Sequence, residues 1–200
     1  MPRSTRIVVI GGVAGGASAA TRARRISEDA EIILLERGPH ISYANCGLPY
    51  HIGGVIAERE KLLVATPEQL STRYRIDVRT RTEAVAIDRE RKEVVARNLV
   101  TGVEERIPYD KLILSPGAEP VRPPIPGSDS PRVRTLRSLA DMDAILAQIT
   151  EGKVERALVI GGGFIGLELT EALRERGIGV TLVELAPQVM APLDPEMAAP

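Results

Sequence analysis

The chain holds one cysteine in 200 residues, within Ser42-Tyr43-Ala44-Asn45-Cys46-Gly47-Leu48-Pro49-Tyr50-His51. With no second cysteine it closes no internal disulfide, so packing or reactivity must explain it. A lone cysteine is ordinarily a small buried hydrophobe. Its neighbours favour chemistry instead. Asn45 can cap a helix whose first turn holds Cys46, Gly47 and Pro49, where proline needs no amide donor. A sulfur at the positive end of a helix is biased toward thiolate, the form that attacks disulfides. His51 has no His, Cys or acidic cluster at ligand spacing and reads as a non-metal residue.

Two glycine clusters form the second chemical signal. The first, Gly11-Gly12-Val13-Ala14-Gly15-Gly16, breaks the dinucleotide pattern at its third place, where Val13 stands for glycine. Alone it is equally a glycine loop for tight packing. Its context argues for phosphate binding: the apolar run Ile7 to Ile10 precedes it, a helical pattern with Ala17, Ala19 and Ala20 follows, and Glu36 lies 20 residues past Gly16. Pyrophosphate would rest on the exposed amides of the helix N-terminus, and the Glu36 carboxylate would accept ribose hydroxyls. The second cluster, Gly161-Gly162-Gly163-Phe164-Ile165-Gly166, keeps all three glycines between the strand pattern Ala157–Ile160 and a helix that ends at Gly177. Glu184 follows 18 residues after Gly166, and an acid there favours NADH over NADPH.

These sites need strands and helices to carry them, and the chain supplies them as an internal repeat of two βαβ patterns 150 residues apart. Ile32 to Leu35 and Val180 to Val183 are the partner strands. Between the repeats, a short helix is expected from Thr66-Pro67-Glu68 with Leu70 and Tyr74 on one face. Val85–Ile87, Val94–Ala96 and Val100, with a turn at Thr101-Gly102, read as an antiparallel meander, and Tyr109 to Ala118 as a buried strand ending in a turn. Five prolines between Glu119 and Pro131 make the best linker, and Leu139, Met142, Ile145, Leu146 and Ile149 mark a helix beyond it. The expected architecture is α/β. Residues 1–118 form a Rossmann-like first domain of parallel sheet plus meander, 119–135 a linker, and 136–200 the start of a second Rossmann-like domain.

Composition narrows the function classes. With 26 basic and 27 acidic residues there is no general electrostatic footprint for nucleic acid or membrane. The basic and apolar N-terminus imitates a signal peptide, but four glycines interrupt it and strand-turn-helix explains the whole pattern. No apolar run nears the ~20 residues of a membrane span. One unpaired cysteine suits a reducing, cytoplasmic compartment.

The run Ser42-Tyr43-Ala44-Asn45-Cys46-Gly47-Leu48-Pro49-Tyr50 resembles the single-cysteine signature of the flavin-dependent pyridine nucleotide-disulfide oxidoreductases, most closely the branch of coenzyme A-disulfide and persulfide reductases. The Gly-x-Val-Ala-Gly-Gly form of the first turn also resembles that branch. The resemblance implies FAD in the first domain, NADH in the second and Cys46 as the redox residue beside the flavin. It implies that Ser18, Arg22, Arg25, Ser42 and Asn45 line a coenzyme A path, where arginine forks suit phosphates. Without it, Arg22 and Arg25 read as solvated partners of the helix dipole. It further counts Arg37, Val85, Ser115 and Gly117 among the flavin-domain residues, with Phe164 as the screen over the flavin and Glu168 as the acid near the nicotinamide carboxamide. For Phe164 and Glu168 the residues alone suggest ordinary packing and a solvated helix acid.

Three functions follow. The leading one is reduction of a coenzyme A-type disulfide or persulfide through Cys46. The second is an NADH oxidase or peroxidase using a Cys46 sulfenic acid, although such relatives place histidine in the first glycine turn, where this chain has Ala14. The third is a nucleotide-binding fragment without turnover, because the chain stops at Pro200 after a single βαβ pattern of the second domain and relatives are longer and dimeric.

Overall fold

Strand β1, Arg6–Ile10, is a run of β-branched residues, and Val8 and Val9 are fully buried, as expected for a strand covered on both faces. In the computed structural model, which describes residues 4–152 and 154–198, β1 is flanked by two parallel neighbours. Helix α1, Gly15–Ile26, returns the chain to β2, Glu31–Leu35, paired in register with β1 from Arg6–Glu31 to Ile10–Leu35. The cysteine segment follows as a 3₁₀ turn over Asn45–Gly47, helix α2, Leu48–Gly53, and a second 3₁₀ turn over Arg59–Leu62.

Helix α3, Pro67–Tyr74, starts as its sequence predicts: Thr66 and Gln69 form a reciprocal capping box and proline opens the first turn. The chain then enters β3, Ile76–Arg79, a parallel strand beside β2 that no strand pattern in the sequence announces. Strands β4 (Thr82–Asp88), β5 (Glu93–Asn98) and β6 (Glu104–Pro108) form the antiparallel meander. Its third strand begins after Val100, because Asn98 accepts the amides of Val100 and Thr101 and Gly102 takes a left-handed φ of 74°, folding that stretch into the turn. Strand β7, Lys111–Leu114, closes the parallel sheet in the order β3-β2-β1-β7. On one sheet face Val9, Ile32, Leu34 and Ile76 pack with Ala20 of α1 and Leu70 of α3. On the other, Val8, Ile33 and Leu35 pack with Val94, Ala96 and Ile107 of the meander.

The later elements are α4 (Leu139–Gly152), β8 (Arg156–Ile160), α5 (Phe164–Glu175), β9 (Gly179–Val183) and the short α6 (Pro195–Ala198). β8 and β9 are a parallel pair in register from Arg156–Gly179 to Ile160–Val183. The chain divides into two compact units: the residues up to Ala44 with Leu63–Ala118, and Asn45–Leu62 with the residues from Glu119 onward. The cysteine segment therefore groups with the second unit, not with the first 118 residues. Two observations within that unit account for it. Arg59 grips Asp143 of α4 through both carboxylate oxygens, at 2.9 and 2.8 Å. Gly53 lies so close to α5 that an added Cβ would sit 3.2 Å from Ala172.

Candidate functional site

The first nucleotide turn is built by close approach. Gly11 takes φ 94°, and an added Cβ would lie 1.9 Å from the Ser115 carbonyl oxygen at the end of β7. A Cβ on Gly16 would lie 1.7 Å from the Gly11 oxygen, so only glycine lets α1 start this near β1. Gly11 N–H donates to Leu35 O at 2.8 Å, Ser115 N–H to Ile10 O at 2.8 Å and Ser42 N–H to Gly12 O at 2.9 Å. The loops after β1, β2 and β7 thereby meet at the carboxyl end of the sheet, where the strand order reverses and open α/β sheets bind ligands. Ala14 and Gly15 are exposed there, and Val13 is half-buried.

Glu36 closes the turn. Its Oε2 accepts from Gly12 N–H at 2.7 Å and its Oε1 from Gly38 N–H at 2.6 Å. Arg37 points away to an exposed ion pair with Glu83 at 3.9 Å. Val85 occupies an irregularity of β4, where the register with β5 shifts between Ala84 and Ala86. Gly117 takes φ 77° just past Ser115. On α1, Ser18, Arg22 and Arg25 are all exposed and fall on one helical face. Arg24 between them does a different job: it is buried, and its guanidinium donates to the carbonyls of Tyr74, Glu28 and Arg75 at 2.6 to 2.9 Å. Burial first, then the neighbouring Arg75, lowers its pKa.

The second turn repeats the first. Gly161 takes φ 104°, a Cβ on Gly166 would lie 1.9 Å from Gly161 O, and Gly161 N–H donates to Val183 O at 2.8 Å. Glu184 accepts from Gly162 N–H at 2.5 Å and from Ala186 N–H at 2.8 Å. Those bonds, the Ala186 one foremost, hold its carboxyl below the usual carboxylate range. Gly163, Phe164 and Ile165 are exposed, with Phe164 61% accessible, and Glu168 is half-buried.

Cys46 is exposed and free. The helix expected to begin at Asn45 is instead a 3₁₀ turn over Asn45–Gly47 followed by α2, whose cap position is Gly47 with no side-chain cap bond. Pro49 sits in the first turn of α2, where its missing N–H leaves no helix bond unmade. Ser42 and Asn45 are half-buried. Among the described residues no group of three or more His, Cys, Asp or Glu could hold a metal ion, and no helix is long and apolar enough to cross a membrane.

The residues fit the dinucleotides that such turns take. A Cβ on Gly163 would meet nothing within 4 Å, so the second turn leaves room for a phosphate at its helix start, whereas one on Gly15 would lie 2.6 Å from Ser115 Oγ, a close approach that puts that hydroxyl at the first helix start.

These features define a two-dinucleotide oxidoreductase architecture, and the chain belongs to the pyridine nucleotide-disulphide oxidoreductase family, whose model matches residues 5–200. It is 42% identical over 195 residues to a coenzyme A disulfide reductase of Staphylococcus aureus strain JH9, covering 98% of this chain and 44% of that relative. Reduced CoADR-RHD of Bacillus anthracis matches with a TM-score of 0.95 and 57% identity, over 98% of this chain and 35% of that one. An NAD-dependent persulfide reductase from A. fulgidus matches with a TM-score of 0.92 and 41% identity, over 97% and 37%. The chain thus spans less than half the length of these relatives.

Proposed function

We propose that this chain carries the nucleotide-binding and sulfur chemistry of a flavin-dependent, NADH-driven reductase of coenzyme A-type disulfides or persulfides. The observation that carries this reading is an exposed, unpaired Cys46 in a chain whose two glycine turns both have an acid at the end of the next strand. Bound FAD would supply a two-electron relay between nicotinamide and sulfur. The chain's own residues bind, orient and exchange. Gly11, Gly12, Val13, Ala14, Gly15, Gly16, Glu36, Ser115 and Gly117 would hold the flavin nucleotide, and Gly161, Gly163, Ile165, Gly166 and Glu184 the nicotinamide nucleotide. Glu184 favours NADH because its carboxylate accepts ribose hydroxyls and repels a ribose phosphate. Phe164, 61% exposed, is free to cover or uncover a neighbouring ring, and Glu168 would meet the carboxamide.

At sulfur, the Cys46 thiolate attacks one sulfur of the substrate disulfide, forming a mixed disulfide and releasing one thiolate that takes a proton. Two electrons from NADH then release the second thiol, so NADH, a proton and one disulfide give NAD⁺ and two thiols. Exposed Arg22 and Arg25, with Ser18, offer donors to the phosphates of a coenzyme A moiety. A reducing cytoplasm suits a thiolate that must stay free between turnovers.

Incubating the unreduced chain with coenzyme A disulfide and weighing it tests this directly. The expected result is one coenzyme A adduct, released by a reducing agent and missing in Cys46→Ser. No adduct, together with peroxide-dependent and disulfide-independent NADH consumption, would replace disulfide reduction with the sulfenic-acid reading.

A further inference from the structure

Glu36 and Glu184 each hold two backbone amides, and those amides are equivalent in the two repeats. One carboxylate oxygen takes the second glycine of the turn: Gly12 at 2.7 Å for Glu36, Gly162 at 2.5 Å for Glu184. The other takes the residue two places beyond the acid: Gly38 at 2.6 Å, Ala186 at 2.8 Å. The carbonyl of the same second glycine is also engaged, by Ser42 N–H at 2.9 Å in the first repeat and Met190 N–H at 2.8 Å in the second. Ser42 and Met190 both carry left-handed backbone, with φ of 45° and 52°. Both backbone groups of the second glycine, its N–H and its C=O, are therefore fixed, which pins the two successive peptide groups that it joins, and one of the anchors is an anion.

We propose that Glu36 and Glu184 are positioning residues that latch the glycine turns into their binding shape before any nucleotide arrives, in addition to meeting ribose. A carboxylate offers about four lone-pair directions. The two amides engage one oxygen each and leave acceptor capacity on the carboxylate for ribose hydroxyls. An ionised acceptor suits this duty because the bonds are charge-assisted and no N–H of its own faces the amides. Glutamine keeps the length but offers a single acceptor oxygen, so one backbone N–H would face an NH₂. Aspartate keeps the charge but is one methylene shorter, enough to lose one of the two amides. Discrimination between NADH and NADPH at Glu184 is then bound up with turn shape: removing the acid to admit a ribose phosphate also unlatches the turn that seats the pyrophosphate. This deepens the nucleotide-binding reading of the second repeat and rests on it only for the identity of the ligand.

Amide hydrogen exchange of the nucleotide-free 200-residue chain, followed by NMR, tests the latch. In Glu184→Gln the Gly162 and Ala186 amides are expected to exchange at least tenfold faster, with Gly12 and Gly38 unchanged. Glu171→Gln, exposed on α5, is expected to leave all four alone. Should Glu184→Gln fail to fold, Glu184→Asp is read in its place and is expected to speed one of the two amides. Unchanged exchange at Gly162 and Ala186 in a folded variant overturns the proposal. Faster exchange in a chain that binds neither NADH nor NADPH supports the latch and removes the nucleotide reading instead.

Discussion

The two βαβ repeats reach the same turn from different sequences, and the difference separates what the turn demands from what it tolerates. Both keep a left-handed first glycine, a last glycine whose added Cβ would lie within 2 Å of the first one's carbonyl oxygen, and a glutamate on the second glycine's amide. The middle glycine is not shared, since Val13 stands opposite Gly163. The helix start accommodates the change: α1 begins at Gly15 after a helical Ala14, whereas α5 begins one repeat position earlier, at Phe164, after an extended Gly163. The repeats also differ in cover. Among the described residues β1 has strand neighbours on both sides and buries Val8 and Val9 fully, while β8 has one and leaves Leu158 and Ile160 60% and 57% exposed.

The largest effect should come from breaking what is common. Gly16→Ala and Gly166→Ala each put a Cβ within 2 Å of a carbonyl oxygen, and each is expected to cost about 3 kcal/mol and to open its own turn. Thermal melts with amide exchange would check it, and a tolerated Gly166→Ala would show that the second repeat lacks the first one's tight packing. Next in size is Leu34→Ala, at a fully buried position in the sheet of the first unit, expected to lose about 3 kcal/mol by cavity formation, against under about 1 kcal/mol for Leu158→Ala, whose side chain is 60% exposed. Chemical denaturation of both variants measures that contrast.

A pH comparison sharpens it further. The folded-state pKa of Glu184 is depressed, so its contribution is present above the ordinary carboxylate pKa and fades as pH falls through the folded value. Glu184→Gln should therefore show a flatter acid limb of stability than the parent chain, and an identical limb would remove the carboxylate from that transition. The smallest effect is expected for Val13→Gly, which installs the missing glycine. We expect a loss of under about 1 kcal/mol from added chain entropy and no gain in flavin affinity, read by flavin titration.

Local features were legible in the sequence because local rules produce them. Thr66, Pro67 and Gln69 encode a capped helix within four positions, and the spacing of Glu36 and Glu184 after their glycines encodes the turn. Strand β3 escaped notice because Ile76-Asp77-Val78-Arg79 is short and carries charges that pair along its edge, Arg79 with Asp77 at 2.7 Å. The grouping of the cysteine segment was not readable either. It depends on Arg59 meeting Asp143, 84 positions on, and on Gly53 meeting Ala172, and no spacing rule relates residues so far apart. Gly38 and Ala186 escaped for a milder reason, since any residue with an amide could serve there; the signal was the repeated distance from the acid.

The neck of the cysteine segment has a practical consequence. Tyr43 and Leu63 form an antiparallel bridge, and Ser42 O accepts the amides of Val64 and Ala65 at 2.8 and 3.2 Å, so the chain leaves and re-enters the first unit at one point. Excising residues 44–62 and joining Tyr43 to Leu63 through Asn-Gly would make that bridge the closing pair of a two-residue hairpin. The product would be the first unit stripped of its thiol, onto which other loops could be spliced.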